Sequence, residues 1–153
     1  MLQPALFFRM ESKMKKPTII GNSIRIPSSQ DYLVDIDSFL EGILRGYGMG
    51  ESTIADIAIS VTEIVNNSII HGNKSDIRKE VSVSIAKRNS EIEITITDQG
   101  EGFDPTAVEN PVEDKNLMRE VGRGIFIVKS LMDSVTIDAK KHKGTQVILT
   151  KRI

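Results

Sequence analysis

Apolar and polar positions along the chain change period several times, and each change marks an element. Ser23 to Pro27 (Ser-Ile-Arg-Ile-Pro) alternates and stops at a proline, which predicts a short strand. Ser28-Ser29-Gln30-Asp31 supplies N-cap chemistry. Leu33, Ile36, Phe39, Leu40, Ile43, Leu44 and Tyr47 then recur at helical spacing, and Gly46, Gly48 and Gly50 end that helix. A second helix starts at Glu51-Ser52-Thr53, carries Ile54, Ile57, Ala58, Val61, Ile64 and Val65 on one stripe, and ends near His71-Gly72-Asn73. Val81, Val83 and Ile85, then Ile92, Ile94 and Ile96, alternate as two strands around a hairpin turn at Lys87-Arg88-Asn89-Ser90. The polar stretch Pro105 to Glu120 holds a short helix over Asp114 to Arg119, and Gly122-Arg123-Gly124 opens a third helix through Leu131. Ser134 to Asp138 and Thr145 to Lys151 read as a closing hairpin turned at Lys143-Gly144.

The order β-α-α-β-β-loop-α-β-β predicts an α+β fold. The expected architecture is a two-layer sandwich, a mixed, largely antiparallel sheet covered on one face by about three helices. No run of βαβ units supports a Rossmann sheet.

Composition narrows the function classes. At 153 residues the chain is one domain's worth. Its 20 Lys+Arg balance 21 Asp+Glu, and the short runs Lys13–Lys16 and Lys140–Lys143 read as solvated surface, so no direct nucleic-acid contact is expected. With no cysteine, thiol catalysis and zinc thiolates are excluded, which fits the cytoplasm. No uninterrupted apolar run approaches the ~18 residues of a membrane span. Residues 1–22 are expected to form an N-terminal tail, in which Met1 to Lys16 are disordered or an added strand or arm, and 23–153 the domain. The apolar patch Leu2, Leu6, Phe7, Phe8 is followed by its positive charges, the wrong order for a signal peptide.

One position carries more than its share of information. Asp98 lies in step with Ile96, Ile94 and Ile92, so it shares their face, the core face. A carboxylate there is costly unless it is paired or hydrogen-bonded. Gly100 and Gly102 follow at once, where backbone can approach a ligand.

The second helix has a polar ridge opposite its apolar stripe. With Val61 at zero, Glu63, Asn67 and His71 fall at about 200°, 240° and 280°, and Asn66 at about 140°. Ile59 and Ile70 fall among them, which suggests that this face is partly covered. The same residues also suit a solvated face with incidental Asn and His. A carboxylate and an amide oxygen one turn apart form a suitable pair for a hard cation such as magnesium. Gly122 and Gly124 ahead of a helix would bind anions through free N–H groups. No P-loop and no protein-kinase catalytic loop is present in the sequence.

Taken together, these motifs resemble the Bergerat (GHKL) ATP-binding fold shared by gyrase, the large heat-shock chaperone, histidine kinases and anti-sigma serine kinases. Glu63-Ile-Val-Asn-Asn67 with Ile69-Ile70-His71-Gly72 is similar to the family's N-box, Asp98-Gln-Gly100-Glu-Gly102 to its first glycine box, Gly122-Arg-Gly124-Ile125 to its second, and Gly144-Thr145 to its closing element. The resemblance implies that Asp98 accepts the adenine amino group and that Gly102 lets backbone approach the base. It implies further that Asn67 holds Mg2+ and that Glu63 orients or deprotonates the attacking hydroxyl. The Gly122–Gly124 turn would hold phosphates, and residues 105–121 would form a lid. The implied nucleotide-contacting set is Asn66, Asn67, His71, Asp98, Gly100, Gly102, Phe103, Gly122, Arg123, Gly124, Ile125 and Thr145. Arg119 or Arg123 is the candidate to stabilise the transferred group.

Neither a histidine-bearing dimerisation domain ahead of the first strand nor a transducer domain after the last is expected. The form is most similar to bacterial anti-sigma factor serine/threonine kinases. That implies ATP or ADP with Mg2+, a sigma factor and a STAS-type anti-anti-sigma protein as partners, a homodimer, and no membrane contact. The first helix and its exit, Gly46 to Gly50, are the candidate partner surface. Two other readings stay open: a nucleotide-gated binding module with little or no kinase activity, and a scaffold in which Asp98 is merely a satisfied buried acid.

Overall fold

The computed structural model describes residues 16–101, 115–140 and 143–153. Among the described residues six strands form one sheet: β1 (Thr18–Ile20), β2 (Ser23–Pro27), β3 (Glu80–Arg88), β4 (Glu91–Thr97), β5 (Ser134–Lys140) and β6 (Gly144–Arg152). Their spatial order is β1-β2-β3-β4-β6-β5, and every pairing among the described residues is antiparallel. The α-helices among the described residues, α1 (Leu33–Gly46), α2 (Glu51–Asn67) and α3 (Lys115–Leu131), complete the α+β sandwich.

The alternating pattern sets the faces. In β4, Ile92, Ile94 and Ile96 are fully buried while the intervening residues are half-exposed. Register carries this across the sheet, pairing Val83 with Ile96 and Ile94 with Leu149. Ile36, Leu40 and Leu44 of α1 and Ile57, Val61 and Val65 of α2 close the core. Each such side chain contributes about 1.5–3 kcal/mol on burial, so one-residue slips in register are strongly disfavoured. The stretch Glu51–Gly72 is long and apolar enough to cross a bilayer by composition alone. In the fold it is the core helix, its apolar stripe against the sheet.

Two expectations change. The sheet begins earlier than the alternation predicts: Thr18–Ile20, inside the segment read as a tail, pair with Ser23–Arg25 across Gly21, whose φ is +58°. The helix expected to open at Gly122-Arg123-Gly124 does not start there. α3 runs unbroken from Lys115 to Leu131 through both glycines. Each glycine costs a helix about 1 kcal/mol relative to alanine, a cost that burial of Val121 and Val128 on one side of α3 offsets.

Candidate functional site

The site forms where α2 leaves its regular geometry. After Asn67 the chain makes a π-turn, Ser68–Gly72, closed by Asn73 N–H donating to Ser68 O at 2.8 Å. The wider turn brings Ser68, His71 and Gly72 towards the ends of β4 and β6, a distortion frequent at functional sites.

Asp98 directly follows β4 on the core side, only 3 % exposed. Its Oδ1 accepts from Gly100 N–H and Thr145 N–H, both at 3.0 Å, and the Ser68 hydroxyl also donates to the carboxylate. Burial pushes its pKa up. The hydrogen bonds from Gly100, Thr145 and Ser68, and the charge of Lys79, oppose that shift only in part.

Three glycines make room for this carboxylate. A Cβ on Gly72 would stand 2.3 Å from Asp98 Oδ2, one on Gly144 2.1 Å from Asp98 O, and one on Gly100 2.0 Å from Gly72 O. Gly144 also has φ +85°, the left-handed region that favours glycine. At Gly72 and Gly144 only backbone fits against Asp98.

The carboxylate faces a cavity that is partly open to solvent. Ile64, Val121, Ile125, Ile137 and Val147 give it apolar walls, and Asn67, Ser68, His71, Asp98 and Thr145 are its polar members. Apolar walls with a few fixed polar groups suit an organic ligand such as a heteroaromatic base. Burial lowers the pKa of His71, with Lys74 adding to the effect and Glu120 opposing it, so the ring stays neutral to lower pH than usual.

Of the residues picked out by sequence, Asn67, His71, Asp98, Ile125 and Thr145 line this cavity, with Gly100 against Asp98. Glu63 and Asn67 converge beside α3: a Cβ on Gly124 would lie 3.0 Å from Glu63 Oε2 and 3.6 Å from Asn67 Nδ2. The covering of this ridge is therefore α3 itself, while Ile59 stays 48 % exposed. Gly124 is a helix-packing glycine rather than part of a turn, and Gly122 is exposed with open space around it. Asn66 points away from the cavity, its Oδ1 accepting from Gln30 Nε2 at 2.8 Å. Arg119 and Arg123 are exposed, and Arg123 Nε donates to Arg119 O at 3.4 Å. Gly102, Phe103 and most of the expected lid lie outside the described residues.

Among the described residues no group of three or more His, Asp, Glu or Cys is placed to hold a metal ion. The donors at hand are the Asn67 amide oxygen and the Glu63 carboxylate. That set fits magnesium, which keeps waters and phosphate oxygens in its shell and needs few protein ligands.

Sequence alone did not single out Ser68 or Asn73. Ser68 holds Asp98, and Asn73 is fully buried behind it. The only signal was their place at the exit of α2, which also suits an ordinary helix end.

A family model for the histidine kinase-like ATPase domain matches residues 26–151. A serine-protein kinase RsbW of Staphylococcus epidermidis is 32 % identical over 137 residues, covering 85 % of each chain. The serine-protein kinase RsbW of Oceanobacillus iheyensis is 27 % identical over 136 residues, again 85 % of each. Among solved structures, the RsbU and RsbW domains of Rv1364c from Mycobacterium tuberculosis superpose with a TM-score of 0.64 at 20 % identity, over 90 % of this chain and 32 % of that one. A chain of the SiaB-SiaC complex from Pseudomonas aeruginosa superposes with a TM-score of 0.60 at 15 % identity, over 98 % and 97 %. At these identities the two structures bear on the fold.

Proposed function

The chain belongs to the histidine kinase-like ATPase family, and we propose that it is an ATP-dependent serine/threonine protein kinase of the anti-sigma-factor type. It binds a sigma factor and phosphorylates a serine or threonine of an anti-anti-sigma protein. The observation that carries this reading is the Asp98 carboxylate, held by two backbone N–H groups in an apolar-walled cavity that Asn67 also lines. The similarity to serine-protein kinases RsbW along most of both chains supports the choice of reaction.

In this reading the adenine amino group donates to Asp98, and the rings lie between the apolar walls. Asn67 would hold magnesium, whose charge would offset that of the phosphate oxygens. Glu63, one turn earlier, takes the proton of the acceptor hydroxyl. That oxygen bonds to the γ-phosphorus as the bond from the γ-phosphorus to the β–γ bridging oxygen breaks, and ADP leaves. Arg119 or Arg123 stabilises charge on the transferred group. A homodimer and a cytoplasmic location complete the proposal.

A second reading, a nucleotide-gated binding module with little transfer activity, is favoured by one contact. Gly124 of α3 sits against Glu63 and leaves little room for an acceptor on that side. Radiolabelled Mg-ATP with candidate anti-anti-sigma proteins separates the two. The kinase reading expects phosphoryl transfer that Glu63→Gln lowers by roughly 10²–10⁴-fold with ATP affinity retained. Binding without transfer in the parent favours the module.

A further inference from the structure

Asn73 is 0 % exposed and does not line the cavity, yet its side chain uses both polar atoms. Nδ2 donates to Ser28 Oγ at 2.8 Å and to Glu80 O at 3.1 Å, while Oδ1 accepts from Gln99 N–H at 2.8 Å. Ser28 follows β2, Glu80 starts β3 and Gln99 follows β4, so one amide joins three strand ends.

The bond to Gln99 matters for the site. That N–H belongs to the peptide directly after Asp98, so holding it sets the plane of the Asp98–Gln99 peptide. With the plane set, the chain turns so that Gly100 N–H reaches back to Asp98 Oδ1 at 3.0 Å. The same turn lies against the carbonyl oxygen of Gly72, the residue just before Asn73, and leaves no room even for a Cβ on Gly100. Without the Asn73 acceptor, the part-buried Gln99 N–H has a reason to rotate towards another partner. The Gly100 bond, which fixes the rotation of the carboxylate, then goes with it.

We propose that Asn73 is a positioning residue that aims the Asp98 carboxylate, and so sets preference for a purine bearing a 6-amino group over one bearing a 6-oxo group. This rests on the nucleotide reading above. A site built around one fixed acceptor rejects an analogue that lacks the matching donor, and loses this power when the acceptor swings.

The test measures dissociation constants of Mg-ATP and Mg-ITP by calorimetry on the full chain, at a temperature where circular dichroism shows each variant folded. The parent is expected to prefer ATP by roughly tenfold or more. Asn73→Leu, close in size but without the acceptor, should bring the preference below about threefold. Asn73→Asp keeps the acceptor for Gln99 N–H and breaks the donor bonds, so it should keep the preference while its melting temperature falls. Should Asn73→Leu not fold, Asn73→Asp decides alone, because retained preference supports the proposal and lost preference overturns it. A parent that discriminates and an Asn73→Leu that discriminates equally well overturns the proposal and leaves the nucleotide reading standing. A parent that binds neither nucleotide overturns both, and a parent that binds both equally overturns the proposal together with the role of Asp98 as acceptor of the adenine amino group.

Discussion

Replacing Asp98 by asparagine separates the ligand role of this carboxylate from any structural role. The amide of Asp98→Asn can keep an oxygen at the Oδ1 position, where Gly100 and Thr145 N–H donate at 3.0 Å. Its NH₂ then stands at the Oδ2 position beside Gly72, and the Ser68 hydroxyl can pair with either end of the amide, as donor to its oxygen or acceptor from its NH₂. Fold stability should therefore change by no more than about 1 kcal/mol. The sign follows from the raised pKa of Asp98. The folded chain binds more protons than the unfolded chain in the window above the ordinary value of 3.8, so parent stability falls as pH rises through that window. At pH 7 the ionised carboxylate carries this cost and the neutral amide does not. The variant should melt at or slightly above the parent at pH 7, and the advantage should shrink as pH falls towards 4. Nucleotide binding should move the other way. A charge-assisted bond is lost and two donors face each other, together about 2–4 kcal/mol, or roughly 30- to 800-fold in Kd. Calorimetry with Mg-ATP and thermal melts from pH 4 to 7 read both effects. A Kd within about threefold of the parent refutes Asp98 as the base acceptor. A melting temperature several degrees lower at pH 7 refutes the sign argument.

Other expectations follow from α3 and from His71. Gly122 sits within the helix with open space around it, so Gly122→Ala should stabilise by about 1 kcal/mol and raise the melting temperature by a few degrees; a drop would mean that a turn, not a helix, is present there. Gly124→Ala gains the same propensity but places a Cβ 3.0 Å from Glu63 Oε2. It should melt near the parent while phosphoryl transfer falls, since the Glu63 tip must swing aside; unchanged transfer would detach Glu63 from the reaction. Because burial lowers the pKa of His71, its contribution to stability is present above its ordinary pKa of 6.5 and is lost as pH falls through the folded value. The fall in melting temperature from pH 7 to pH 5 should be smaller in His71→Gln, and equal slopes would count against a buried neutral ring.

Much of the site was legible because it rests on local periodicity. Alternation in steps of two put Asp98 among the isoleucines, and Asp98 is buried beside them. Helical spacing put Asn67 and His71 on one ridge, and both line the cavity. The glycines around Asp98 were visible as glycines, though not as close approaches. Asn66 shows the limit of a helical wheel: its angle was compatible with the site, yet Gln30 draws it the other way.

Local pattern in the sequence by itself therefore determined the fold class, the faces of the strands, and Asp98 as the acid to watch, since backbone geometry ties residue spacing to direction. Tertiary structure alone decided what surrounds that acid. Thr145 reaches Asp98 across 47 residues and Ser28 reaches Asn73 across 45, and no local pattern encodes such bonds. The path of α3 was decided in the same way. Two glycines read locally as a turn, but with Val121 and Val128 buried on one side and Gly124 fitting against Glu63, the packing outweighs a helix penalty of about 2 kcal/mol.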